Sequence, residues 1–265
     1  MDCACGHHHD GAARDLTGRD LGLMPAPVAL HGRLICRDMG QMATALSLLP
    51  DHVAASRAEP GCLHFQIDQS DDPMVWTLSE LFADDAAFAA HQARSADSPW
   101  GRDSRDMGRD FHRYAAPLRL RPEARADLPG LDALLRAAFG GNAEAQLLRD
   151  LRQAGDLAAS LVAHADGVPV GHAALSPLAA ERPALALAPV AVHPALQGRG
   201  IGSALVRAAL QAAGDHAVVV LGDPAFYARF GFRPADLASP WPGLMIRGDL
   251  PAGSAVAHAP AFAGA

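Results

Sequence analysis

Apolar residues follow one of two spacings along most of this chain, every second position or every third and fourth, and the spacings alternate in an ordered way. Leu30 to Cys36 alternates and predicts a strand. Met42, Leu46, Leu49 and Val53 then recur at helical spacing, predicting a helix over Met39–Arg57 that Pro50 should disturb. Pro60-Gly61 turns the chain into Cys62–Gln69, where Leu63, Phe65 and Ile67 alternate with His64 and Gln66. After an Asp71-Asp72-Pro73 turn, Met74–Phe82 puts Trp76, Leu78 and Glu80 on one face and Val75, Thr77, Ser79 and Leu81 on the other. Asp84 or Asp85 can cap a helix running through Phe88 and His91, which Ser98-Pro99 ends. Phe111–Ala115 supplies a closing strand. The predicted order is β-α-β-β-α-β.

The pattern restarts at Pro117. Leu118, Leu120 and Pro122 suggest a short strand, Asp127–Phe139 a helix and Ala145–Leu151 another, with Gly140-Gly141-Asn142 between them. Leu157–Ala165 and Val168–Leu175 flank Asp166-Gly167, a strong hairpin signal. Pro183–Val192 is an apolar strand, a helix follows Gly202, Ala217–Leu221 is a short buried strand, and Leu244–Ile246 a last one. The expected division is a flexible tail over 1–28, a first domain over 29–116, a second over 117–250 and a flexible tail over 251–265. The fold class is α/β (α+β).

Composition narrows the function classes. A 265-residue chain with 50% hydrophobic residues can bury two cores, although aromatics are only 5% and Ala, Leu and Val must do the filling. A formal charge of −7 argues against a nucleic-acid or anionic-membrane partner, without excluding a local basic pocket. No apolar run reaches membrane-spanning length, the first residues lack the apolar region of a signal peptide, and four cysteines do not make a disulfide scaffold. A cytoplasmic protein is the expectation. Cys3, Cys5, His7, His8 and His9 have metal-ligating chemistry, but Cys-x-Cys is tighter than usual zinc spacing and nothing nearby shapes a site. No metal is assigned.

The most informative stretch is Pro189–Ser203. A strand ends at His193-Pro194, three glycines fall within five residues at Gly198, Gly200 and Gly202, and a helix follows. Converging backbone N–H groups and the helix dipole make such a junction an anion site. A Walker loop is excluded because no Gly-Lys-Ser/Thr follows, and the preceding hairpin argues against a dinucleotide fold.

Two resemblances refine this reading. The series from Glu59 through His91, with Glu59-x-Gly61-Cys62, Asp72-Pro73, Trp76, Glu80 and Phe88, resembles the antibiotic-biosynthesis-monooxygenase-like domain over about residues 30–115. That resemblance implies a ferredoxin-like fold that forms a homodimer by joining sheets. Some relatives oxidise polyphenols or degrade haem without bound metal or flavin, and others have no known activity. His64, Trp76, His91 and Trp100 are the candidate polar or reactive positions, with no catalytic set named.

Residues 118–247 resemble the GNAT superfamily of acyl-CoA-dependent N-acyltransferases, a mixed-sheet fold. Gln197, Gly200 and Gly202 match its loop motif, and Pro189-Val190-Ala191-Val192-His193-Pro194 and the series Gly222–Phe232 flank it in the right order. The resemblance implies acetyl-CoA as cosubstrate. Its pyrophosphate would sit on Gln197, Gly198, Arg199, Gly200, Ile201, Gly202 and Ser203, and its pantetheine arm along Val190, Ala191 and Val192. Tyr227 falls at the position of the general acid that protonates the departing thiolate. The acceptor would be a small-molecule or peptide amine. The family's strand glutamate is missing from Ala184-Leu185-Ala186-Leu187-Ala188. Water, His172 or Asp223 could take the amine's proton, or binding could favour the neutral amine. A monooxygenase activity in the first domain and a non-catalytic acyl-CoA sensor stand as alternatives.

Overall fold

In the computed structural model, which describes residues 18–264, the alternating and helical segments assemble into two units. Gly22–Leu118 form one, and 119–164 with 169–264 form the body of the other. Cys3, Cys5 and His7–His9 lie outside the described residues.

The first unit is a four-stranded antiparallel sheet backed by helices. Its strands are β1 (Val28–Ile35), β2 (Cys62–Gln69), β3 (Val75–Phe82) and β4 (Gly108–Ala115), in the order β2-β3-β1-β4. β1 pairs with β3 and β4 over its whole length, so Leu30 stands beside Glu80 and Arg113, and Leu34 beside Trp76 and Arg109. Helix α1 (Met39–Arg57) is capped by Asp38, whose side chain accepts from the Gln41 N–H at 2.9 Å. The expected disturbance at Pro50 does not interrupt the helix. The carbonyl four residues back belongs to Leu46, which is half exposed, so water can serve it. Asp84 caps α2 (Asp85–Asp97), and Ser98, expected only to end it, caps a second short helix, α3 (Pro99–Asp103). That turn delivers Trp100 into the core with Leu34, Leu49 and Trp76.

The second unit is built on a mixed sheet. Its main strands are β5 (Leu118–Pro122), β6 (Ala159–Ala165), β7 (Val168–Ala179), β8 (Ala184–Val192), β9 (Ala217–Val220) and β10 (Met245–Arg247), adjacent in that order. Arg19–Asp20, in the stretch expected to be tail, pairs with β5. Helices α4 (Leu128–Phe139) and α5 (Ala143–Ala154) present Leu131, Leu134, Leu135 and Leu148 to a core shared with Val162, Ala174 and Ala191. Each such leucine contributes about 1.5–3 kcal/mol by leaving water. Helix α6 (Ile201–Ala213) buries Ile201, Leu205, Val206 and Ala209 against the sheet. A Cβ at Gly171 of β7 would fall 2.9 Å from both Ile201 Cγ2 and Leu205 Cδ1, so glycine there sets how closely the helix start approaches the strands. Helix α7 (Pro224–Tyr227) is a single turn.

The largest departure from expectation is at the C-terminus. The stretch expected to be a flexible tail over 251–265 forms the short strands Ser254–Ala255 and Ala257–His258 and a 3-10 helix, Pro260–Gly264. Ala257–His258 pairs antiparallel with Ala179 and Leu178 at the end of β7. Val256 is buried with Leu178, Ala184 and Leu244. These strands are two residues long, and the contacts that hold them come from distant parts of the chain.

Candidate functional site

Strands β8 and β9 run parallel for three pairs, Ala184 with Ala217, Leu185 with Val218 and Ala186 with Val219. β9 ends at Val220 while β8 continues to Val192. From Leu187 onward, β8 therefore keeps β7 on one edge and has no strand partner on the other among the described residues. The β7–β8 register also slips between Ala173 and Leu175, opposite Leu187–Val190. The His193 N–H donates to the Val170 carbonyl at 2.9 Å. By the two-residue alternation of a strand, the N–H groups of Val192 and Val190 point the other way, to the open edge. The Val192 carbonyl on that edge accepts from Gln197 Nε2 at 3.2 Å.

Beyond β8 the chain makes the turn Pro194–Leu196, whose start His193 caps by accepting from the Ala195 N–H at 3.3 Å. Gly198 and Gly200 then take φ of 78° and 93°. A side chain at such angles costs roughly 1–2 kcal/mol, which explains glycine at both. Gly200 begins α6, and the N–H groups of Ile201, Gly202 and Ser203 have no partner within the helix. They open on a cavity of about 450 Å³ lined also by Val192, Gln197, Phe226 and Arg229. Ala191 instead points its side chain into the core, and Arg199 is not part of the cavity wall. Arg229 brings a charge the sequence reading missed. Its guanidinium lies 4.7 Å from the centre of the Phe226 ring, which holds it beside the loop. The signal was its place two residues after Tyr227 in the downstream motif.

Asp223 caps α7 by accepting from the Ala225 N–H at 2.9 Å. Tyr227, at the end of that turn, is 7% exposed, and burial pushes its phenol up to about 12, so it is protonated throughout the neutral range. Its ring packs edge-on to Phe226 and Phe232 and lies against Gly222.

A second cavity, of about 370 Å³, adjoins the first, and Val190 and Tyr227 line both. Its other walls are mostly apolar: Leu187, Pro189, Trp241, Leu244 and Phe262. Glu144, Asp223 and His258 are its remaining titratable groups. Burial holds the His258 imidazole below its ordinary pKa and keeps it neutral at pH 7. His258 and Phe262 come from the C-terminal stretch, whose Ala, Pro and Gly content gave no sign of a site. His172, a candidate base from sequence, is fully buried elsewhere, with Nε2 2.9 Å from Ser160 Oγ and 3.7 Å from Glu123 Oε2. It lines neither cavity.

In the first unit Trp76 fills the core. His64 is half-buried on β2. His91 and Trp100 both face a separate cavity within that unit. No helix among the described residues is long and apolar enough to cross a membrane, and no group of three or more His, Cys, Asp or Glu side chains there is placed to hold a metal ion.

Two family models match separate stretches of the chain. A family model described as acetyltransferase (GNAT) domain matches residues 156–234, and one described as antibiotic biosynthesis monooxygenase matches residues 38–96. The uncharacterized N-acetyltransferase YhbS of Escherichia coli is 43% identical over 134 residues, 47% of this chain and 80% of that protein. A second E. coli relative, the uncharacterized N-acetyltransferase YjhQ, is 36% identical over 107 residues, 37% of this chain and 59% of that protein. The crystal structure of E. coli YhbS in complex with CoA superposes with a TM-score of 0.53 at 36% identity, covering 57% of this chain and 94% of that one.

Proposed function

The chain belongs to the GNAT acetyltransferase family, and from that premise we propose that it transfers acetyl from acetyl-CoA to an amine held in the apolar cavity. The observation that carries the reading is the shared wall. Val190 and Tyr227 are common to a cavity lined by backbone N–H groups and to an apolar one, so a thioester delivered through the first meets an amine in the second.

The residues fit the cosubstrate. Gly198, Gly200, Ile201, Gly202 and Ser203 offer the N–H groups a diphosphate needs, and Arg229 adds a cation within the same cavity. Val192 presents its N–H to the pantetheine arm along the open edge of β8, which leaves that of Val190 for the acyl end. Acetyl-CoA supplies an activated acyl group, and attack by the amine nitrogen forms the amide C–N bond as the C–S bond breaks. Tyr227 donates its phenolic proton to the leaving thiolate and regains one from solvent. The Val190 N–H is placed to stabilise charge on the carbonyl oxygen. His258, neutral and on the apolar side, takes the proton the amine loses, through water.

The finer features belong to the same reading. Strand order β2-β3-β1-β4 in a βαββαβ chain supports a ferredoxin-like fold for the first unit. Homodimerisation through that unit is measured by light scattering, where a monomer mass would remove it. A cytoplasmic setting would supply acetyl-CoA. The enzymatic proposal is tested by calorimetry with acetyl-CoA and by CoA thiol release across an amine panel. Saturable binding with amine-dependent thiol release is expected. Binding without release would favour a sensor.

A further inference from the structure

The apolar cavity beside Val190 and Tyr227 has a chemistry of its own. Besides Tyr227, four rings line it: Phe139 at the end of α4, Trp241, His258 and Phe262. The His258 ring meets Trp241 edge-on at 6.5 Å and Phe262 at 5.0 Å between centroids, so these three form one wall. A volume of about 370 Å³ is small for a ligand pocket, where roughly 300–1,000 Å³ is usual, and suits a body of one ring.

Charge in this cavity is one-sided. No arginine lines it, and burial keeps His258 neutral. Its two carboxylates differ. Asp223 is engaged in capping α7, with Oδ1 accepting from the Ala225 N–H at 2.9 Å. Glu144, half-buried in the first turn of α5, takes part in no hydrogen bond or ion pair among the described residues. An acid in a first turn favours the helix dipole. That accounts for the residue type, but not for a carboxylate bordering an apolar, ring-lined cavity, where it loses hydration that a cation would replace.

Glu144 borders the apolar cavity alone, whereas Val190 and Tyr227 border the donor cavity as well. The attacking nitrogen must be neutral and must reach the wall at Val190 and Tyr227. A cation drawn to Glu144 is therefore a second group on the same acceptor, set apart from the first by a body the rings can pack against.

Resting on the acetyl-transfer reading, we propose that the acceptor is a diamine with an apolar, single-ring-sized body. One amino group meets the thioester, and the other, as an ammonium, pairs with Glu144. Amines that carry a carboxylate, free amino acids included, are rejected, because Glu144 repels them and no cationic side chain lines the cavity.

The test compares three amines of similar shape at pH 7: 1,4-bis(aminomethyl)benzene, 4-methylbenzylamine, which lacks the second cation, and 4-(aminomethyl)benzoate, which reverses its charge. Each is read twice on the full chain, as kcat/KM by CoA thiol release and as a dissociation constant by calorimetry with CoA present. The diamine should lead the methyl compound about tenfold, the low end for a hydrogen bond to a charged group and more than its two equivalent amines supply. The benzoate should be weakest. Glu144→Gln should level the diamine and the methyl compound, and Glu144→Arg should put the benzoate ahead of the diamine. Thermal melts establish that both variants are folded, and the order of the three amines on the unaltered protein stands by itself. A Glu144 that served only the helix would shift the melts and leave that order alone. Absence of saturable diamine binding, equal values for the diamine and the methyl compound, or an order unmoved in the folded variants would each overturn the proposal. The acetyl-transfer reading would fail separately, with the Glu144-dependent order of binding kept and no amine releasing thiol.

Discussion

Tyr227 lies so close to Gly222 that a Cβ on the glycine would stand 2.5 Å from Tyr227 Cε2. The position of the proposed acid therefore depends on the absence of one methyl group at the residue that precedes the Asp223 cap of its helix. Gly222→Ala must displace the ring, and because Tyr227 is buried the ring has few places to go. Expected is a fall in kcat of about tenfold or more with little change in acetyl-CoA affinity, and a larger fall, about 10²-fold, for Tyr227→Phe. Equal kcat in Gly222→Ala and the parent protein would remove Tyr227 from the mechanism.

Gly200→Ala separates donor binding from chemistry. At a φ of 93° the alanine costs roughly 1–2 kcal/mol, and the backbone relieves that strain by rotating the N–H groups that open α6. The dissociation constant for acetyl-CoA should rise about tenfold by calorimetry. A variant that melts normally and binds as before would show that the loop does not hold the diphosphate.

The C-terminal wall should govern the acceptor. Phe262→Ala enlarges the apolar cavity, so the KM for the amine should rise several-fold while acetyl-CoA binding stays unchanged. His258→Gln tests proton removal. A neutral imidazole is the active form, so the rate of the parent protein should fall as pH drops through a pKa below 6.5. That acid limb should be absent in the glutamine variant. An unaltered pH profile would assign the proton to another group.

Glu80 makes a separate prediction about stability. Its folded pKa of about 8 lies above the ordinary carboxyl value of 4.5, so the folded state holds a proton the unfolded chain releases across that interval. Stability contributed by the proton is intact below pH 4.5, declines as pH rises towards 8, and is level above it. The full difference is on the order of 5 kcal/mol. Glu80→Gln has no such proton, so its melting temperature relative to the parent should climb between pH 5 and 8. A constant difference across that range would mean that Glu80 is ionised in the fold.

Much of this was legible because it is local. Glycine at Gly198 and Gly200 reports its own φ, and the alternation through Trp76, Leu78 and Glu80 assigns a face without reference to any other strand. What escaped depends on distant partners. Nothing near Glu80 in sequence announces that Glu59, Arg94 and His91 gather beside it, or that one of its oxygens is buried without a hydrogen-bond partner among the described residues. Residues 254–258 have too few positions for periodicity, and their order comes from Leu178, Ala179 and the strand Leu237–Ala238. Pro50 was misread for the complementary reason: a helix-breaking residue is tolerated where the affected carbonyl faces water.

The pairing of Ala257–His258 with the end of β7 also has a consequence for how this protein could diversify. The proposed donor site lies between Val190 and Arg229, whereas two side chains of the proposed acceptor wall come after residue 257. A change of terminus, by frameshift, fusion or exchange between relatives, could therefore redirect the enzyme to another amine while the machinery for acetyl-CoA is inherited intact.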